Sequence, residues 1–185
     1  MGTVFVDNLE PQSGTTLTLG ASGDTVGLAT GASQTLAVST PAFEAYQSAN
    51  TNISDAVDTK VLCNTEVFDT DNCYDNSTNY RFTPTTAGKY FVYGVLQGYG
   101  GQVSGIEALD AKIFKNGTRY RQQSHNFTSN RAYVVFTSIF AVVDMNGSSD
   151  YVELYASFNT DGTPRLNGSA SGDHCYFGAY RIIGA

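Results

Sequence analysis

The residues of this 185-residue chain that could take part in catalysis do not form a recognisable catalytic pattern. Its two histidines, His125 and His174, lie outside any metal-ligand spacing and away from a nucleophile turn. The glycines at Gly98, Gly100 and Gly101 lack the following helix that a phosphate-binding glycine loop requires. The sequence therefore predicts no catalytic residues, no cofactor-binding residues and no enzymatic activity.

One acidic turn has the composition of a calcium site. Asp69, Asp71, Asn72 and Asp75 carry oxygen-bearing side chains within a short segment. Calcium takes about six to eight oxygen ligands in flexible geometry. The turn lacks the glycine and the terminal glutamate of an EF-hand loop, so a solvated acidic turn is the alternative interpretation. No other metal or cofactor is predicted.

Charge and cysteine content exclude further classes of protein. Ten basic residues against seventeen acidic ones leave a net charge of −7, which opposes binding to nucleic acid. No stretch approaches the roughly 20 apolar residues that cross a bilayer, so membrane insertion is not predicted. Three cysteines, Cys63, Cys73 and Cys175, favour small buried thiols over a disulfide framework. A bridge between Cys63 and Cys73 is the alternative.

The amino-acid pattern that predicts the secondary structure changes near residue 40. Leu17 and Leu19 of one nine-residue unit correspond to Val26 and Leu28 of the next. The pattern predicts short strands separated by Ser-Gly turns, each with an apolar edge that one chain cannot bury. Residues 1–40 are therefore predicted to be an anchoring or oligomerisation arm that becomes ordered on a partner. The alternative is a flexible leader.

After residue 40 the chain is rich in β-branched and aromatic residues that are interrupted by turn residues. Asn116-Gly117 indicates a tight hairpin, and Asn146-Gly147 predicts a similar turn between the runs on either side of it. Eight to ten strands without intervening helices predict an all-β fold, an antiparallel jelly-roll sandwich over residues 41–185.

Two predicted strands, at residues 90–96 and 133–143, carry large apolar side chains on both faces. A two-layer sandwich with one solvated face does not need this pattern. We expect one face to meet the core and the other to meet another subunit, for which aromatic residues are well suited. The alternative is a central strand covered by its own loops. The predicted subunit-interface residues are Tyr90, Val92, Tyr93, Phe136, Phe140, Tyr176 and Tyr180.

Residues 41–185 form the predicted head of the protein. Short motifs follow one another along the head in a characteristic order. They are Phe43, Val67-Phe68-Asp69 with Asn72 and Tyr74-Asp75, Phe82-Thr83-Pro84, Gly88-x-Tyr90 with Tyr93, Lys115-Asn116-Gly117 and Tyr176-x-Gly178. In this order they resemble the complement C1q-like family, which shares a trimeric jelly roll with tumour necrosis factor. The resemblance spans residues 41–185 and implies a homotrimer that serves recognition or assembly without catalytic residues. Some members bind calcium. The collagen stalk of animal members is absent, since no Gly-X-Y repeat occurs.

The opening of the chain carries a second resemblance. Residues 6–17, VDNLEPQSGTTL, resemble the leaders of structural proteins from tailed bacteriophages, particularly marine ones. The predicted virion-anchoring residues are Val6, Leu9, Pro11, Leu17, Leu19, Val26 and Leu28. The first residues show no ordinary secretory signal, which agrees with release of virions by lysis.

Together these patterns predict a non-enzymatic, trimeric structural protein of a bacteriophage, assembled in the host cytoplasm and displayed on the virion surface. Its arm is expected to bind other virion proteins. Its head, as a short fibre or decoration protein, is expected to contact a host-surface glycan or protein through many weak sites. A capsid cement protein is one alternative. A secreted trimeric ligand of the tumour necrosis factor kind, which would need an export route, is another.

Overall fold

The computed structural model describes residues 22–23, 25, 40–101 and 105–183. Internal contacts divide the chain into two units, Met1–Ala37 and Val38–Ala185. The predicted virion-anchoring residues lie outside the described residues. The division of the chain near residue 41 and the role of the arm therefore stay predictions. Among the described residues there is no helix that could span a membrane.

The described head is built from β-strands joined by turns. In chain order the strands are β1 (Ala42–Tyr46), β2 (Thr51–Asn52), β3 (Thr59–Lys60), β4 (Thr65–Asp69), β5 (Tyr74–Asp75), β6 (Arg81–Phe82), β7 (Gly88–Tyr99), β8 (Ile106–Lys115), β9 (Thr118–Asn126), β10 (Val134–Met145), β11 (Val152–Thr160), β12 (Arg165–Leu166) and β13 (Tyr176–Arg181). Eight of them have five residues or more, and the other five have two residues each. The predicted all-β class is confirmed.

The strands form two antiparallel sheets. Sheet 1 has the order β10, β7, β13, β1, β4, and β12 with β2 continues it beside the last residues of β7. Sheet 2 has the order β5, β6, β11, β8, β9, and β3 pairs with part of β11. Sheet 1 therefore ends at β10 and β4, and sheet 2 ends at β9 and β5. Two such sheets around one core make the predicted jelly-roll sandwich.

The core between the sheets is filled by alternate side chains of the long strands. Tyr90 and Val92 of β7 are fully buried there, in one cluster with Leu154 of β11. Gly94 has the same inward parity, because a Cβ at this position would lie 2.6 Å from Leu154 Cδ1. The prediction that Tyr90 and Val92 lie at a subunit interface is therefore wrong. Both side chains belong to the core between the two sheets.

An aromatic cluster closes one end of this core. The ring of Phe43 stacks on Tyr74 at 4.4 Å and on Phe82 at 4.7 Å between centroids, and Phe177 meets it edge to face at 5.1 Å. These rings come from β1, β5, β6 and β13, so the cluster joins the edge of sheet 2 to the middle of sheet 1. Aromatic pairs of this geometry contribute about 0.5–1.5 kcal/mol each beyond area burial.

The two Asn-Gly turns have different roles. Asn116 and Gly117 both have positive φ, 52° and 76°, and they join the paired strands β8 and β9 as the predicted hairpin. The prediction of a similar hairpin turn at Asn146-Gly147 is wrong. The flanking strands do not pair, because β10 belongs to sheet 1 and β11 to sheet 2. Asn146 Oδ1 instead accepts three backbone N–H groups at 2.9–3.0 Å, which fixes a wider connection between the sheets.

All three cysteines are buried and unbridged. Burial raises the pKa of the Cys63 thiol well above its usual range and that of Cys175 to about 11. Cys175 Sγ accepts the backbone N–H of Gln97 at 3.3 Å. The cysteines therefore pack as small thiols, and the alternative bridge between Cys63 and Cys73 is not formed.

Candidate functional site

The outer face of sheet 1, which points away from the core, carries an aromatic surface. We define the aromatic face by its large side chains, which are Phe68 on β4, Phe91 and Tyr93 on β7, Phe136, Phe140 and Val142 on β10, and Tyr180 on β13. Phe140 exposes 69% of its surface and Phe136 exposes 51%. Contiguous apolar patches on a protein surface mark interaction sites, since single exposed apolar residues are ordinary but clusters are not.

One row of side chains crosses this face from edge to edge. In strand register the row runs Phe140, Tyr93, Gly178, Glu44, Phe68. Gly178 leaves room for the Tyr93 ring, because a Cβ on this glycine would lie 2.3 Å from Tyr93 Cζ. The close approach at Gly178 is therefore made by a side chain on the neighbouring strand β7.

The Tyr93 hydroxyl reaches across the glycine and donates a hydrogen bond to Glu44 Oε2 at 2.6 Å. Burial raises the pKa of Tyr93, and the hydrogen bond and charge of Glu44 raise it further. The phenol therefore remains a donor and Glu44 has a partner at the centre of the aromatic face. A carboxylate with a hydrogen-bond partner is less costly to cover than an unpaired one.

Four rings of the aromatic face pack against one another around Phe91. Phe91 lies 5.5 Å from Tyr180, 6.1 Å from Tyr93 and 6.2 Å from Phe140 between ring centroids. This part of the face is thus pre-formed in the single chain, which lowers the conformational entropy that would be lost when a partner binds.

Five of the seven predicted interface residues lie on this outer side of sheet 1. They are Tyr93, Phe136, Phe140, Tyr176 and Tyr180. The predicted set lacks Phe91, Phe68 and Val142, which also lie on this side. Strict alternation along β7 identifies Phe91, since it has the parity of Tyr93 and the opposite parity to Tyr90. Phe68 has no comparable signal, because its strand is short and its neighbours on the face are distant in sequence.

The four calcium candidates do not converge on one point. Asp69 Oδ2 accepts the backbone N–H of Tyr74 at 2.7 Å, and Asp75 accepts three backbone N–H groups at 2.9–3.1 Å. These hydrogen bonds lower the pKa of Asp75 below its usual range. No group of three or more metal-ligating side chains occurs in the part of the chain that the structure describes. The geometry favours the acidic-turn interpretation over a calcium site.

The two histidines have structural partners. His125 stacks on Phe127 at 5.7 Å between ring centroids. His174 Nδ1 lies 3.3 Å from the carbonyl oxygen of Gly168, and its Nε2 lies 3.8 Å from Asp173. Among the residues that the structure describes, neither ring is hydrogen-bonded to a serine or cysteine nucleophile. The absence of enzymatic activity stays a prediction.

Comparison with known proteins identifies the fold. No protein-family model matches the chain, and no curated protein does so at a significant level. The globular domain of zebrafish complement 1qA superposes with a TM-score of 0.51 at 12% identity, covering 77% of this chain and 98% of that one. Murine APRIL superposes with a TM-score of 0.54 at 12% identity, covering 76% and 98%. At this identity the likeness concerns the fold alone, and the head has the C1q and tumour necrosis factor type of jelly roll.

Proposed function

We propose that the chain is a non-enzymatic binding protein that assembles into a homotrimer through its aromatic face. The observation that carries this proposal is the aromatic face, whose large side chains lie on β10, β7, β13 and β4. Burying one exposed phenylalanine side chain of this face contributes about 1.5–3 kcal/mol to the free energy of association. A symmetric trimer contains three copies of each such side chain. The resemblance of the head to C1q-like proteins supports three-fold symmetry.

The test is the mass of the full chain in solution. Sedimentation equilibrium at micromolar concentration is expected to give about 59 kDa, three times the chain mass of 19.8 kDa. Phe140→Asp places a charge at the most exposed ring of the face and is expected to give monomers. Val57→Asp is the matched control, because Val57 is 50% exposed but lies between β2 and β3, away from sheet 1's outer face. A monomeric wild-type protein would contradict the proposal.

We further propose that the trimer is a bacteriophage virion protein, a short fibre or decoration protein whose arm holds it on the particle. Support comes from the resemblance of residues 6–17 to phage structural leaders. In this role several heads engage the host surface at once, so weak individual sites combine into firm attachment. Cryo-microscopy of particles with and without the protein is expected to show added density on the virion surface. Density confined to the joints between capsomers would favour the cement alternative.

A secreted trimeric ligand is the second candidate, favoured by the likeness of the head to murine APRIL. The two candidates differ in where the protein is found. A virion protein co-purifies with intact particles through a density gradient, whereas a secreted ligand stays in the soluble fraction and binds receptor-bearing cells.

A further inference from the structure

A polar cavity of about 410 Å³ opens on the side of the sandwich where β4 ends sheet 1 and β5 ends sheet 2. This side is opposite to β10, and no member of the aromatic face lines the cavity. Its volume falls within the roughly 300–1,000 Å³ that small-molecule sites occupy. Assembly through the aromatic face therefore leaves the cavity available to a ligand.

The cavity wall is fixed by hydrogen bonds of its own segment. Asp75 accepts the backbone N–H groups of the turn that follows it and also Asn79 Nδ2 at 2.7 Å. Lys60 Nζ donates to the carbonyl oxygen of Asn79 at 2.8 Å, which ties the same turn to β3. Asp69 fixes the preceding turn through the N–H of Tyr74. A ligand would meet a pre-formed wall, so little ordering accompanies binding.

Other polar groups on the wall have no hydrogen-bond or ion-pair partner among the described residues. Glu66, Asn72, Asn76 and Arg81 line the cavity. Across the described ranges, none of these four side chains makes a hydrogen bond or an ion pair with the protein. The guanidinium of Arg81 lies over the ring of Tyr151, with Cζ 4.4 Å from the centroid. Stacking holds the guanidinium in place but uses none of its N–H donors.

This set of groups matches one class of ligand. Arg81 offers donors, Glu66 offers acceptors, and the asparagine amides offer both. Hydroxyl groups donate and accept at once, so a polyhydroxylated ligand can satisfy all of them. An anion is disfavoured, because Glu66 and Asp75 outnumber Arg81 on the wall and the whole chain carries a net charge of −7.

We propose that this cavity binds a neutral sugar unit of a polysaccharide or glycan. In this site Glu66 accepts a hydrogen bond from one hydroxyl group of the sugar, and Arg81 donates to another. The proposal deepens the proposed function and rests on it, because it names the chemical class that the head would hold on a host surface.

The experiment titrates the full chain with defined oligosaccharides in a calorimeter. The neutral probes are trisaccharides of glucose, mannose, galactose and N-acetylglucosamine, and trigalacturonate is the anionic probe. We expect at least one neutral probe to bind. Glu66→Gln keeps the size of the side chain but removes its charge, and we expect it to weaken binding about tenfold. Arg81→Lys removes the planar fork of donors and is expected to have a similar effect.

Arg121→Lys is the matched control. Arg121 also stacks on a tyrosine, with Cζ 4.9 Å from the ring of Tyr120, but it lies on β9 and outside the cavity. Thermal unfolding of each variant checks that the fold is retained. Loss of neutral-sugar binding in the two cavity variants, with binding kept in the control, supports the proposal.

Three results would overturn the site: binding of trigalacturonate alone, equal binding by all variants, or no binding of any probe to the folded protein. The sedimentation result separates this proposal from the assembly proposal. A trimer that binds no sugar refutes only the cavity site, and a monomer that binds a neutral sugar refutes only the assembly.

Discussion

At the scale of single residues, the acidic side chains between β4 and β6 organise turns. In the sequence Asp69 and Asp75 resemble metal ligands, because calcium binding and the stabilisation of a turn by backbone hydrogen bonds both need a carboxylate in a turn. In the structure the oxygens of Asp75 accept backbone N–H groups of the following residues, at 3.1, 2.9 and 3.0 Å. These bonds stabilise the charged form of the carboxylate, which is why its pKa is lowered.

We therefore expect Asp75→Ala to lower the free energy of unfolding by about 1 kcal/mol at pH 7, a value reduced by solvent exposure. Because the pKa of Asp75 is lowered in the folded state, the stabilisation is complete above its unfolded value of about 4. It is lost as the pH falls through the lower folded-state value. Urea unfolding at pH 7 and at acid pH should show the difference between wild type and variant shrinking in acid.

Asp144→Ala is the control for this prediction. Asp144 is exposed and forms a surface ion pair with Lys89 at 2.9 Å, so we expect a loss of no more than about 0.5 kcal/mol. A difference between wild type and Asp75→Ala that is the same at both pH values would contradict the role assigned to the carboxylate.

At the scale of the elements, β7 is the strand on which the molecule is organised. It pairs with β10 along one edge and with β13 and β12 along the other. Its inner side contributes to the core, and its outer side carries Phe91 and Tyr93 of the aromatic face. Two glycines mark these two sides: Gly94 on β7 approaches Leu154 in the core, whereas Gly178 on β13 approaches Tyr93 outside.

The same substitution at these two glycines should therefore have different effects. Gly94→Ala places a methyl group 2.6 Å from Leu154 Cδ1 in a packed core, and we expect it to cost about 1–3 kcal/mol of stability. Gly178→Ala meets the far end of the Tyr93 ring, which can swing outward. We expect it to break the hydrogen bond to Glu44 and to weaken assembly with little loss of subunit stability.

Urea unfolding and sedimentation of both variants measure the two effects separately. A Gly178→Ala protein that remains fully trimeric at micromolar concentration would show that the Tyr93 arrangement does not matter for assembly.

At the scale of the whole molecule, the two outer faces of the sandwich differ in chemistry. The outer face of sheet 2 carries charged residues in partnered positions, such as Lys60 with Glu153 at 2.6 Å. Lys112 on the same face is almost fully buried, and its Nζ donates to Ser157 Oγ at 2.7 Å. The outer face of sheet 1 is aromatic. This asymmetry favours sheet 1 as the face to be covered, because sheet 1 is the sheet whose outer face exposes large aromatic side chains.

If assembly covers sheet 1, thermal stability should depend on protein concentration. Binding that occurs only in the folded state stabilises it by mass action, and a trimer of this size should gain roughly 3 °C in Tm for each tenfold rise in concentration. Phe140→Asp should remove this dependence, and Val57→Asp should keep it. Scanning calorimetry over a hundredfold range of concentration makes the measurement. A wild-type Tm that is constant over this range would count against assembly.

Several features of the head follow from the sequence alone. Period-two alternation and frequent turn residues determine an all-β fold, since neither depends on distant contacts. Asn116-Gly117 determines its hairpin because both residues tolerate positive φ. The apolar character of both sides of β7 and β10 can also be read from the sequence, and it predicts an apolar outward face on these strands.

Only the tertiary structure decided which side of each strand faces outward and which distant residues share a surface. Alternation divides the side chains of a strand into two sets, but strand pairing and sheet packing decide which set meets the core. For this reason Tyr90 and Val92, which were predicted at an interface, lie in the core. The row from Phe140 to Phe68 joins five strands, and the cavity beside Glu66 joins the edges of two sheets. Local pattern carries no information about such contacts, because they depend on strand order and register.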